Sequence, residues 1–151
     1  MLLFEEKFVV EERLTGKQYR VVCNDNELAK EGQFAQTVST ESGEDIIIAT
    51  SDICDAYKRR NKLAYVIIYH ELGHIYYGHN HISGDTRKER MTALRNNSLY
   101  IREAQADDYA AYFLGKFQVI EGLHMLSKSL KKGSLEWKEV QLRIAVLENK
   151  K

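Results

Sequence analysis

The sequence predicts an α+β fold, with a small N-terminal antiparallel sheet followed by a helical bundle. Three observations carry that expectation. The first fifty residues fall into apolar-polar runs separated by glycine-containing turns, the pattern of half-buried strands. After residue 50 those runs stop and helical spacing takes over. The chain has 151 residues, 44% of them hydrophobic, which suits one core in a single domain, 1–151.

The elements follow in order. EKFVVEER and KQYRVVC flank Thr15-Gly16 and read as a hairpin. QFAQTVST and EDIIIAT flank Glu41-Ser42-Gly43 and read as a second one. Residues 25–32 suit a loop or a short helical turn. Ser51 and Asp52 are good N-cap types, and helices are expected over 52–59 running into 61–78, then 98–115, 117–131 and 135–149. Gly115 and Gly133 act as breaks in a chain with no proline. The polar stretch 79–97 reads as a loop with at most one helical turn.

Composition narrows the partners. Lys+Arg and Asp+Glu both number 22, so the formal charge is zero and nothing invites nucleic acid or an anionic membrane. The longest strongly apolar stretch, AYVIIY at 64–69, is too short to cross a bilayer. MLLFEEKF turns acidic after four residues and lacks the basic start of a signal peptide. Cys23 and Cys54 then read as reduced thiols, and the expected compartment is the cytoplasm.

The chemistry concentrates in YHELGHIYYGHN at 69–80. On a helix, residues four apart share a face, so His70 and His74 can both reach one ion at about 2.0–2.1 Å. Glu71 is turned by about 100° and suits a flanking base rather than a ligand. A metal acidifies a water, and a carboxylate beside it takes the proton. The other readings are a purely structural metal site and two ordinary histidines that bind nothing. The apolar flank Leu63, Tyr65, Val66, Ile67, Ile68 and Tyr69 suits a helix through the centre of the protein.

A third ligand is needed for a catalytic zinc site. The candidate is Glu103, 29 residues past His74, in YIREAQADDYAAYF. On a helix, Leu99, Glu103, Ala106, Asp107, Ala110, Phe113 and Leu114 form one stripe, apolar except for two acids one turn apart. Two buried like charges conflict unless a cation sits between them and the histidine helix. Glu103 then becomes the third ligand, and Asp107 an acceptor for the far N–H of a zinc histidine. The competing reading has both acids facing water, paired with Arg102 or a lysine. Ala104, Ala106, Ala110 and Ala111 are small enough to let the two helices approach closely.

HELGH followed by a helix bearing E-x-x-A-D resembles the gluzincin class of HExxH zinc metallopeptidases. The ImmA/IrrE-like branch is similar in size, in DIIIATSD, and in E-A-Q-A followed by Y-A-A. The HtpX-like branch with its small soluble relatives is similar in HELGHIYYGH, E-A-Q-A-D and RIAVLE at 143–148. The chain departs from the first in lacking a proline turn after the ligand helix, and from the second in lacking membrane helices. The resemblance implies a zincin-like domain with Zn2+ on His70, His74 and Glu103, Glu71 as catalytic base and Asp107 behind a ligand. It also implies a peptide or protein substrate such as a transcriptional regulator. The alternative is a zinc-containing regulatory module that binds a protein partner and hydrolyses nothing.

Other residues read as ordinary. His79 and His81 are expected to be exposed beyond the helix, though either suits a substrate contact, and with Glu89 they are the fallback ligands. Tyr76, Tyr77, Tyr109 and Tyr112 read as packing. Trp137, Leu142, Ile144 and Leu147 read as the core face of the last helix, and Arg143 as half of a surface pair, with an acid of the site as its other candidate partner. His124 suits a core or boundary position, TRKER at 86–90 a solvated loop, and EDIIIAT an edge strand that an extended peptide can join.

Overall fold

The computed structural model describes residues 6–25, 34–79 and 86–150. The expectation for 25–32 falls almost wholly outside them, as does His81. Four strands come first: β1 (Glu6–Glu11), β2 (Gln18–Cys23), β3 (Ala35–Ser39) and β4 (Asp45–Ala49). Both hairpins form where they were expected, with Glu11 opposite Gln18 and Ser39 opposite Asp45. The first turn is held by the Glu12 carboxylate, which accepts from the backbone N–H of Leu14 and Thr15 at 2.7 and 2.9 Å. It also accepts from the Tyr109 hydroxyl at 2.6 Å, tying the turn to the helical half.

The sheet is mixed rather than antiparallel throughout. Its order is β1-β2-β4-β3, and β2 pairs with β4 in parallel, Val21 opposite Ile47. The unbroken apolar run Ile46-Ile47-Ile48 suits such an inner strand. EDIIIAT is therefore not an edge: the edge on that side is β3.

Six helices follow among the described residues: α1 (Ser51–Lys58), α2 (Lys62–Tyr76), α3 (Thr86–Arg95), α4 (Ile101–Leu114), α5 (Lys116–Lys128) and α6 (Leu135–Glu148). Thr50 caps α1, one residue before the expected Ser51, by accepting from the Ile53 N–H. Asn61 caps α2 by accepting from the Leu63 and Ala64 N–H groups. The stretch read as a loop holds α3 instead. Its polar sequence carries no apolar stripe, yet Arg90 makes a two-pronged pair with the buried Glu139 of α6 at 2.9 and 2.5 Å.

α2 runs between two cores. Ile68 and Leu72 pack with Val21, Ile47 and Ala49 of the sheet, whereas Val66 packs with Val119, Leu123, Val140, Ile144 and Leu147. Residues buried on both sides explain why α2 is apolar nearly all round. On α6, Val140, Ile144 and Leu147 form the core face, and Trp137 and Leu142 lie only half-buried. His124 is exposed rather than core. No described helix is long and apolar enough to cross a membrane.

The cysteines are also not as expected. Cys23 at the end of β2 and Cys54 in α1 form a disulfide, with Cα atoms 6.2 Å apart. A separation of 31 residues gives no hint of pairing, but the sheet-to-helix crossing brings the two together.

Candidate metal centre

The site is built where α2 meets α4. Gly73 makes their close approach possible: a Cβ there would lie 2.8 Å from the Cα and carbonyl oxygen of Ala106. At that distance His70 and His74, one turn apart on α2, face Glu103 in the first turn of α4.

The three inward atoms form a small triangle. His70 Nε2 lies 2.8 Å from Glu103 Oε2 and 3.1 Å from His74 Nε2, and His74 Nε2 lies 3.6 Å from Glu103 Oε2. Ligands about 2.0–2.1 Å from a tetrahedral ion stand about 3.3–3.4 Å apart. The triangle's sides bracket that spacing, and the donor set of two imidazoles and one carboxylate suits a divalent cation. The cluster His70, His74 and Glu103 can therefore hold a metal ion.

Electrostatics argue the same way. Burial opposes ionisation of Glu103, but the hydrogen bond from His70 and the nearness of the His74 ring hold its carboxyl well below the usual range. Burial and the nearby Arg143 disfavour a His70 cation. Asp107 and Glu103 outweigh them, and the imidazole is pushed up to about 9. With no metal bound, a proton on His70 thus takes the place between ring and carboxylate that a cation can fill.

Behind His70 stands Asp107. Its Oδ1 lies 2.7 Å from His70 Nδ1, so it accepts the far ring N–H, and Asp107 is almost fully buried. Arg143 completes this arrangement and is not a surface residue. It donates from Nε and Nη2 to the two Asp107 oxygens, both at 2.8 Å, from a buried position on α6. Burial raises the Asp107 carboxyl, but Arg143 and His70 outweigh it and hold it down at about 2.

Behind His74 stands His79. It is buried rather than exposed: its Nδ1 lies 2.8 Å from His74 Nδ1, and its Nε2 lies 2.8 Å from Gln105 Oε1. Burial pushes the His79 imidazole down, toward the neutral form.

Glu71 is buried beside the cluster and is not one of its members. Thr37 on β3 donates its hydroxyl to Glu71 Oε2 at 3.0 Å. His70, His74, Glu103, Glu71, His79 and Thr37 line one cleft of about 610 Å³. Its apolar wall includes Leu63, Ile67, Leu123 and Leu126, and β3 forms its rim. The pattern of the motif could not point to Thr37, Arg143 or Gln105, because each arrives from a different element. Of the remaining residues, Glu89 binds the Tyr100 hydroxyl and stays exposed. Tyr109 is buried on Glu12, whereas Tyr76, Tyr77 and Tyr112 are exposed.

No family model, curated protein or solved structure matches the chain.

Proposed function

We propose that this chain is a zinc-dependent metallopeptidase of gluzincin type, with Zn2+ on His70, His74 and Glu103. The observation that carries the reading is the position of Glu71. A buried carboxylate lies next to a three-ligand cluster, in the same cleft, without belonging to it. A structural site has no use for such a group and is more typically closed by a fourth protein ligand.

When bound, zinc supplies Lewis acidity, making a water more acidic and polarising a carbonyl. The chain does the rest. Glu71 takes the water's proton and passes it to the leaving amine. The Thr37 hydroxyl on Oε2 turns the carboxylate and leaves Oε1 to receive that proton. β3, as the edge strand of the sheet among the described residues and beside the cleft, offers backbone groups to an extended peptide. The proposed substrate is therefore an unstructured segment of a protein, such as an exposed stretch of a transcriptional regulator.

The proposed compartment is the cytoplasm. The Cys23–Cys54 disulfide speaks against it, because such bonds persist in oxidising surroundings. Thiol labelling of freshly lysed cells decides the matter: two free thiols favour the cytoplasm, and none rules it out.

The test of function is Glu71→Gln. It keeps the shape and removes the proton acceptor, so zinc content should stay at the wild-type level. Cleavage of an unstructured peptide library should fall by about 10²–10⁴-fold. Equal cleavage by both proteins removes Glu71 from the mechanism. If the wild type binds zinc and a protein partner but cleaves nothing, the chain is a binding module.

A further inference from the structure

The two ring nitrogens between His74 and His79 set a condition that the metal reading alone does not supply. They are 2.8 Å apart, so one carries the hydrogen and the other the lone pair. Two arrangements satisfy this, and they have opposite consequences. If His79 donates from Nδ1, His74 must hold its own proton on Nε2. That atom lies 3.1 Å from His70 Nε2 and points into the cluster, where a metal needs a lone pair. If instead His74 donates from Nδ1, its Nε2 lone pair is free.

Gln105 selects between them. Its Oε1 is an acceptor, 2.8 Å from His79 Nε2, so the His79 proton sits on Nε2 and its Nδ1 is left to accept. We propose that His79 is a positioning residue: with Gln105 it forces the His74 proton onto Nδ1 and so keeps His74 Nε2 open for the metal. The inference rests on the metal centre proposed above.

Packing holds the chain of groups in place. His79 is buried, stacked on Tyr77 with ring centres 5.8 Å apart, and set edge-on to His74 at 5.1 Å. Gln105 stands on α4 two residues past Glu103, so the helix that brings the third ligand also brings the group that orders the second. Partners that fix the tautomer of a ligating histidine typically change metal affinity by about 10–100-fold.

The test uses the full chain and zinc, titrated against a chelator of known affinity. His79→Phe keeps a ring and removes both nitrogens. Its zinc affinity should fall by about 10–100-fold, with the metal-free melting temperature close to that of the wild type. His79→Asn places Oδ1 near the position of Nδ1 and should recover most of the loss. Nitrogen NMR of the wild type should find the His74 proton on Nδ1. Unchanged affinity in His79→Phe overturns the proposal, as does an Asn variant no better than the Phe one. If His79→Phe does not fold, the NMR spectrum decides, and a proton on Nε2 of His74 is the contrary result. A wild type that takes up no zinc overturns the metal reading together with this inference; normal uptake with an unaffected His79→Phe overturns the inference alone.

Discussion

His70 and His74 meet at their Nε2 atoms, 3.1 Å apart, but their far nitrogens rest on opposite kinds of support. His70 leans on a charged pair, Asp107 held by two bonds from Arg143. His74 leans on neutral groups, His79 and then Gln105. The charged brace spans α2, α4 and α6, so it ties the site to the bundle. The neutral brace spans the end of α2 and the start of α4, so it acts only locally. One turn of helix thus carries two candidate ligands whose loss of support should have different costs. Breaking the first brace should damage the fold, and breaking the second should damage mainly the metal affinity.

The largest expected effect comes from Asp107→Ala. It leaves the Arg143 guanidinium buried without its partner, and breaking such a pair typically costs about 3–5 kcal/mol. Denaturant unfolding of the metal-free protein checks this. A loss no larger than that of His79→Phe would erase the contrast between the braces.

Next comes Gly73→Ala, which strains both at once. The added methyl would meet Ala106 backbone at 2.8 Å and push α2 from α4. Overpacking of this kind costs about 1–3 kcal/mol. Zinc affinity should fall as well, since the cluster is shared across that contact; a variant with wild-type stability and affinity would mean that the helices have room to spare.

A pH profile sharpens the comparison further. Asp107 titrates at about 2 in the folded protein, below an ordinary aspartate value of about 3.9. The unfolded chain therefore takes up this proton first as pH falls. The stabilisation from ionised Asp107 is complete above about pH 4 and is lost as pH drops toward 2. Acid unfolding of the metal-free protein should report it, and Asp107→Asn should flatten that part of the profile. An unchanged profile would contradict the charged brace. The smallest effect is expected from Gln105→Leu, which removes one neutral hydrogen bond worth about 1 kcal/mol. It should weaken zinc binding by no more than about tenfold.

Much of this centre was legible in the sequence, and the reason is periodicity. His70, Glu71 and His74 lie on one helix, and the stripe that held Glu103 and Asp107 repeats every three to four residues. Arg143 was legible only as the second choice to a surface pair, because its partner is 36 positions away and helix spacing says nothing about which helices meet. His79 lies past the end of α2, where the pattern gives no direction. Both hairpins followed from their turns. The parallel β2–β4 pairing did not, because turn residues fix which strands form hairpins and say nothing of how two hairpins lie side by side. α3 stayed hidden because its buried contact is a salt bridge, not an apolar face.

The most direct test of the account is the zinc content of purified wild type and of Glu103→Ala, measured by elemental analysis after dialysis against trace metal. About one zinc per wild-type chain is expected, with none retained by the variant. A wild type without metal, or a Glu103→Ala protein with full occupancy, would contradict it.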